Sequence, residues 1–284
     1  MTEVLVIGGA NVDIKARCAA VHVAATSNPA HIRHKPGGVA RNIAHNLGRL
    51  GAKVSLLSVV GSDAAGVGLL NATAQSGVDV SRCFKATGVT GTYLAFLDER
   101  GELITAANDM EILQAITPEI IAQHKEVIVS ARLVIVDCNL PVGTLVAIAK
   151  LASAKLIVEP VSVSKSQKLK KLGASIFLAT PNLDQVEALT GTRDPQAAAT
   201  LLHQSGIKNL VIHAGAHGAY ISDGENFSHV PSRASKIVDV TGAGDAATAG
   251  LALGLLRGWP LAKAGELGQD ISAKVIASTA STLE

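Results

Sequence analysis

Val240-Thr241-Gly242-Ala243-Gly244-Asp245 sets one carboxylate at the join between a small-residue turn and an apolar segment, Ala246 to Leu253. Gly242, Ala243 and Gly244 carry almost no side chain, so a ligand can come close to their backbone N–H groups. The first turn of a helix leaves such donors without partners, and the helix dipole favours negative charge there. A carboxylate at that spot has two readings. Asp245 can take a proton from a hydroxyl while the backbone donors hold a phosphoryl group beside it. Alternatively, it is a plain N-terminal cap.

Other segments could hold the two reactants. Pro36-Gly37-Gly38-Val39-Ala40-Arg41-Asn42 opens a second helix. Its glycines let a ligand lie against the backbone, and Asn42 offers a donor and an acceptor to vicinal hydroxyls; a simple turn is the plainer reading. Asn11-Val12-Asp13 follows the first apolar run, at the carboxyl end of a strand, where doubly wound sheets bind ligands. Strand alternation aims Asn11 and Asp13 the same way, as a polyol site requires, although an Asx turn would use the same residues. Asn182 begins a helix after another strand, either as an N-cap or beside metal-bound phosphates. Gly215 and Gly218 suit a nucleotide or a tight turn, and Lys165 reads as a solvated surface lysine rather than a charge near phosphates. His31 and His34 stand three apart in a Pro-flanked loop without a nearby Cys or carboxylate, so no metal site is expected there. No Gly-Lys dipeptide occurs, which removes a Walker A loop, and Ala247 replaces the third glycine of a dinucleotide fingerprint.

The elements that must position these groups are legible as aliphatic runs alternating with helical patterns, the mark of a parallel sheet covered on both faces. Strands are expected at Val4–Ile7, Val54–Val59, Leu133–Asp137, Leu156–Glu159, Ile176–Ala179 and Leu210–His213. Helices are expected at Val39–Leu50, Gly66–Ser76, Val142–Ala152, Ala197–Gln204, Asp245–Arg257 and Leu261–Ser278, with Pro118, Pro195 and Pro260 near helix starts. Val12–Cys18 and Tyr93–Ala107 break the rhythm as strands, the second turning at Asp98-Glu99-Arg100-Gly101. They form either a small β lid over the carboxyl edge or an extension of the main sheet. The expectation is one domain over 1–284, with lid segments at about 12–35 and 91–110.

Composition narrows the class without choosing the chemistry. Of 284 residues, 48% are apolar but only 2% aromatic, so the core is built from small aliphatics. A net charge of +2, with no basic run interleaved with aromatics, argues against nucleic acid as a partner. Cys18, Cys83 and Cys138 are scattered and odd in number, which favours a reduced cytoplasmic setting over a disulfide or zinc framework. Val4–Ile7 reads as a buried strand rather than a leader, and the run Leu251 to Leu256 is too short to cross a membrane.

Taken in order, the motifs resemble those of the ribokinase (PfkB-type) carbohydrate kinases over essentially the whole chain. Gly37-Gly38 with Asn42 and Ala44, then Gly51 and Gly61, resemble the N-terminal signature of that family, and Asp239 to Asp245 resembles its C-terminal signature. Ser27-Asn28-Pro29, Pro36-Gly37-Gly38-Val39, Ala107-Asn108-Asp109-Met110, Asp137-Cys138-Asn139 and Pro160-Val161-Ser162 look like the bacterial pseudouridine kinases within it. The resemblance implies a three-layer α/β/α sandwich with a mostly parallel sheet and a β lid, using ATP and Mg²⁺ to phosphorylate a primary hydroxyl. It implies that Asp245 is the base on the 5′-hydroxyl, and that Gly242, Ala243 and Gly244 form an anion hole. Asn11, Asp13, Gly37, Gly38, Asn42 and Asn139 would hold the ribose, while Asn108 and Asp109 would read the base. Asn182, Gly215, Gly218 and Thr241 would lie along ATP, and Asp239 with Thr241 would frame a monovalent cation such as K⁺. A homodimer through the lid is also implied. The chain departs from the family pattern at Gln185, where Glu is usual, at His213, where Thr or Ser is usual, and at Glu159 in place of Asp. Another nucleoside or a pentose as substrate, or a catalytically weak nucleoside binder, are the alternatives.

Overall fold

Val4–Ile7, Val54–Leu57, Leu133–Asp137, Lys155–Glu159, Leu178–Ala179 and Asn209–His213 are nearly unbroken aliphatic strands, and such runs need cover on both faces. In the computed structural model, which describes residues 2–152 and 155–284, they form the parallel body of an eight-stranded sheet. Ala219–Ser222 and Phe227–Val230 extend one edge antiparallel. Val54–Leu57 forms the other edge, and Val4–Ile7 lies between it and Leu133–Asp137. Alternation along each strand divides the core in two. Leu5, Ile7, Val134, Val136, Val158 and Ile212 belong to one apolar cluster; Val4, Val6, Leu133, Ile135, Ile157 and Val211 belong to the other. Helices on both faces make this the expected three-layer sandwich.

The helix Val39–Arg49 and the helix Ala243–Leu256 pack on the same face and meet near their N-termini. Small residues bring the second of these helices close to another neighbour. Gly250 and Gly254 lie so near the helix Leu261–Ile276 that an added Cβ would press on Gly268 and Ala264. Aliphatics and glycines replace aromatic bulk in this layer, as the composition requires.

A separate four-stranded sheet joins Ala30–Gly37, Asn11–Cys18, Thr92–Leu97 and Leu103–Asp109 in that order. The inserted segments are therefore a second sheet and not an extension of the first. Three expectations need correction. His31 and His34 lie in the strand Ala30–Gly37, fully paired with Asn11–Cys18, not in a loop. The expected strand Val54–Val59 stops at Leu57, and a second short strand, Val59–Gly61, turns aside to pair with Phe84–Ala86. Leu178–Ala179 is shorter than expected because Gly173–Ser175 is a helical turn directly before Ile176.

Asp137 closes the fold at the carboxyl end of the central strands. Its Oδ2 accepts from the N–H of Gly9 at 2.8 Å and of Ala40 at 3.0 Å, and its Oδ1 accepts from Asn139 N–H at 2.9 Å. A Cβ at Gly8 would collide with this carboxylate, which explains the glycine there. Burial pushes the Asp137 carboxyl up, against the pull of the three N–H groups. Asp137→Ala should strand three buried donors and cost roughly 3 kcal/mol or more of stability, measured by urea unfolding, because each unsatisfied group carries its full desolvation penalty. A loss within error would mean that water replaces the carboxylate.

Candidate active site

Strand polarity gathers the polar groups. Gly8, Asp137, Glu159, Thr180 and His213 all stand at or just beyond carboxyl ends of parallel strands, the edge at which open α/β sheets bind ligands. A shallow groove lined by Thr2, Lys53, Asp79, Arg82 and Ser130 lies at the opposite, amino end.

Asp245 is at the third position of the helix Ala243–Leu256 and is partly open to solvent. Its Oδ2 accepts a 2.7 Å hydrogen bond from Asn42 Nδ2. Arg41 fixes which way that amide faces, because its Nη2 donates to Asn42 Oδ1 at 2.8 Å. The same nitrogen donates to the Pro36 carbonyl at 3.0 Å, and Nη1 meets His45 Nδ1 at 3.3 Å. Burial, and then the charges of Arg41 and Arg49, pull His45 down to about 4, so its ring is neutral. Nδ1 accepts from Arg41 and the Nε2–H donates to the Leu283 carbonyl. Burial lowers Arg41 to about 10, against the opposing pull of Asp13 and Asp245, and it stays charged at neutral pH.

Burial is also the main reason that the Asp245 carboxyl rises to about 7. Asn42 and Arg41 oppose the rise; Asp137 and Asp13 add to it. Gly242 holds the N-cap position of this helix, and among the described residues the Asp245 carboxylate bonds to Asn42 and to no backbone N–H of its own first turn. The side chain that could have capped the helix faces Asn42 instead.

The backbone around it is primed for an anion. Ala243 N–H bends back to the Val240 carbonyl at 3.2 Å and is spent on the turn. Among the described residues, the N–H groups of Gly242, Gly244 and Asp245 have no protein partner. Gly244 faces open space. Gly242 has φ +81, and a Cβ there would collide with the Ser281 carbonyl. Thus the C-terminal tail shapes this turn, a role that no motif announced.

The second sheet faces the site with its polar side. Asn11 Nδ2 donates to Asp13 Oδ1 at 2.7 Å, and both residues share that side, as alternation requires. Burial raises the Asp13 carboxyl despite Asn11, Arg41, Lys15 and Lys35. Gly37 must lack a side chain because Asp13 occupies its place, and Gly38 (φ +98) lies against the Gly9 carbonyl. Asp13, Tyr93 and Asn108 form one rung across three strands, so Asn108 shares the side of Asp13. Asp109 falls on the other side by alternation, where its Oδ1 accepts from Glu111 N–H. Its backbone still borders the site: a Cβ at Gly91 would touch Met110, Asn11 and the Asp109 carbonyl together.

Asn139 Oδ1 is taken by Lys165 Nζ at 2.6 Å. Lys165 is half-buried, which corrects its reading as a solvated surface lysine. Asn182 and Gln185 form a reciprocal capping box: each side chain accepts the other's backbone N–H at 2.9 Å. Gln185 is therefore committed locally, and Glu187 turns outward to Arg193. Asn182 also bridges to His213, whose buried Nε2 has no partner among the described residues. Gly215 opens outward, whereas Gly218 is required by the Val230 carbonyl. Glu159 rises to about 8, chiefly through burial, although Thr180 Oγ1 donates to it at 2.6 Å. Beside it, Val161 has φ +70, a strained conformation for a β-branched residue. Asp239 and Thr241 are engaged by Lys15 from the second sheet.

Arg41 and Lys15 are charged side chains bonded to site residues that motif reading passed over. Arg41 stood beside Asn42 in the Gly-Gly segment, but only the fold shows that it turns back to orient that amide.

The pfkB family of carbohydrate kinases matches residues 1–283. Pseudouridine kinase of Escherichia coli strain K12 is 40% identical over 282 residues, 96% of this chain and 90% of that protein. A carbohydrate kinase from Agrobacterium tumefaciens is 30% identical and superposes with a TM-score of 0.86, over 99% of this chain and 93% of its own. A ribokinase from Arabidopsis thaliana, solved with ribose and ATP, has a TM-score of 0.89 at 21% identity over 99% and 95% of the two chains, a likeness of fold. A family match along nearly the whole chain and a sandwich shared with solved kinases lead to one conclusion: the chain belongs to the pfkB family of carbohydrate kinases and is a phosphotransferase acting on an alcohol group.

Proposed function

We propose that this kinase transfers the γ-phosphoryl group of ATP to the 5′-hydroxyl of pseudouridine, giving pseudouridine 5′-phosphate and ADP. The observation that carries the reading is Asp245, held by Asn42 at the mouth of a helix where, among the described residues, the N–H groups of Gly242, Gly244 and Asp245 have no protein partner. Phosphoryl transfer asks little covalent chemistry of a protein, so position and electrostatics do most of it. The 5′-oxygen attacks phosphorus in line, the bond to the β-phosphate oxygen breaks, and the hydroxyl proton passes to Asp245. A carboxyl near pH 7 is matched to that task. Gly242, Gly244 and Asp245 N–H groups donate to the phosphoryl oxygens as charge shifts. Asn11, Asp13 and Asn42 suit the ribose hydroxyls, with the Gly37-Gly38 backbone beneath them. Asn182, Gly215 and Gly218, beyond neighbouring strand ends, suit the nucleotide.

Mg²⁺ enters this reading as a companion of ATP. Among the described residues no three His, Cys, Asp or Glu side chains converge on one point, so phosphates and water would supply most ligands. Asp245 and Asp137 each add to the rise of the Glu159 carboxyl, and a nucleotide-borne cation would ease that repulsion and neutralise phosphate charge. Potassium has no place in the proposed reaction, because an ammonium group already stands at Asp239. Two further parts of the reading are coarser. Free Cys18, Cys83 and Cys138 suit a reducing cytoplasm. Ile32 (61% exposed) and Leu94 (38%), on the apolar side of the second sheet, suit pairing of two chains through their lids.

The decisive assay is ADP release with pseudouridine, uridine, ribose and adenosine. The proposal expects pseudouridine to give the highest kcat/KM; turnover of ribose alone would make this a pentose kinase, and nucleoside binding without ADP a silent relative. Asp245→Asn should lower kcat by at least ~10²-fold while nucleoside binding survives, since proton transfer contributes that much. The pH profile follows from the raised carboxyl. The kcat/KM of the wild type should fall as pH drops through about 7, as Asp245 takes up its proton. Folding favours the neutral form, so the stability from this site is full below its ordinary value of 3.8 and lost as pH rises through about 7. Asp245→Asn should therefore raise Tm more at pH 8 than at pH 5; a larger gain at pH 5 would contradict the shift. Selectivity is assigned to Asn108, because the N1–H of pseudouridine is a donor that uridine lacks. Asn108→Ala should cut the pseudouridine-to-uridine ratio of kcat/KM by roughly 10-fold or more, and an unchanged ratio would remove it from base recognition.

A further inference from the structure

Lys15 lies two residues beyond Asp13 on the strand Asn11–Cys18 and shares its site-facing side. Its Nζ leaves the second sheet and donates to Asp239 Oδ2 at 2.8 Å and to Thr241 Oγ1 at 3.0 Å. Thr241 in turn donates its hydroxyl and its N–H to Asp239 Oδ1, at 2.6 and 2.9 Å. The three side chains form a closed ring in which each carboxylate oxygen of Asp239 has a donor. Burial alone would raise the Asp239 carboxyl; the bonds from Lys15 and Thr241 outweigh it and hold the group below its ordinary value. Lys15 and Asp239 are 29% and 28% exposed, so the pair is neither a loose surface contact nor sealed in the core.

The ring sits directly before Gly242, whose N–H is one of the free donors at the helix mouth. It is also a polar bridge from the second sheet to the turn that carries the anion-binding groups. A monovalent cation framed by Asp239 and Thr241 would have to share Asp239 Oδ2 and Thr241 Oγ1 with the Lys15 ammonium. Two like charges at such separation repel strongly outside bulk water. The residues present therefore do not fit an exchangeable ion while Lys15 is in place.

We propose that Lys15 is a positioning residue that supplies the positive charge of the Asp239–Thr241 turn in place of an exchangeable monovalent cation, and so ties the lid to the anion-binding turn. The proposal rests on the kinase reading above, and it makes cation independence a property of one lid side chain. Lys15 does not touch the reacting atoms. It acts through Asp239 and Thr241 on the orientation of the Gly242 and Gly244 N–H groups.

Wild type, Lys15→Ala and Lys15→Arg would be compared in KCl and in tetramethylammonium chloride at equal ionic strength, by ADP release and by thermal unfolding. Wild type should show the same kcat and the same Tm in both salts. In tetramethylammonium, Lys15→Ala should lose roughly 10-fold or more in kcat with a smaller change in pseudouridine KM, since a misplaced anion hole weakens the transition state more than the ground state. KCl should restore part of that loss and raise the Tm of this variant, because the vacated site can then take the ion. Lys15→Arg should stay indifferent to the salt. A wild type activated by K⁺, a Lys15→Ala enzyme as fast as wild type without K⁺, or a loss that K⁺ restores neither in rate nor in Tm would each overturn the proposal. If the wild type phosphorylates no nucleoside, the substrate reading fails separately, and the Tm comparison still tests Lys15.

Discussion

The structure depends on one hydrogen bond, from Asn42 Nδ2 to Asp245 Oδ2. It joins the first turns of two helices whose residues lie far apart in the chain. It also keeps the carboxylate turned away from its own helix terminus, which leaves the terminal N–H groups for a ligand. Neither partner is held by this bond alone. Arg41 locks the Asn42 amide, and a neutral His45 and the Pro36 carbonyl fix Arg41. Asp137 then pins the start of the Asn42 helix to the central strands through Ala40 N–H. A buried cation amid Asp13 and Asp245 limits the cost of gathering several carboxylates in one place.

That arrangement is costly to the fold. Asp13, Asp137, Glu159 and Asp245 all have carboxyls raised by burial, so each ionises against its surroundings. Such groups destabilise the compact state at neutral pH, and the surrounding core must offset them. The offset comes from close packing of small residues, with Gly250 and Gly254 letting the Asp245 helix lie against the helix Leu261–Ile276. The same packing holds the carboxylate in a fixed frame, which is what proton transfer needs.

Much of this was legible in the residues. Unbroken aliphatic runs gave away the parallel strands, since nothing else in a chain of this composition alternates so regularly with helices. The Asp245 turn and the Asn11–Asp13 pair stood out as candidates, but a cap and an Asx turn use the same residues, and only the bond from Asn42 and the pairing of Asn11 with Asp13 on one strand face separate the readings. What stayed hidden depends on distant partners. Ala30–Gly37 contains a proline and two histidines and does not look like a strand; pairing with Asn11–Cys18 imposes it. The C-terminal tail covers the Gly242 turn through Ser281 and reaches Asn46 and His45 through Leu283, contacts that no local pattern encodes. Gln185 read only as a departure from the Glu usual in the family, yet its amide oxygen completes a capping box. Lys15 had no motif at all, because its partners lie more than two hundred residues downstream.

The most direct test of the central claim is a structure with pseudouridine and a non-hydrolysable ATP analogue bound. The account predicts the 5′-hydroxyl oxygen within about 3.2 Å of an Asp245 carboxylate oxygen, hydrogen-bond reach for a base, with the γ-phosphoryl group on the Gly242 and Gly244 N–H groups. A complex in which that hydroxyl lies out of reach of Asp245, or in which the phosphates avoid the helix mouth, would contradict it.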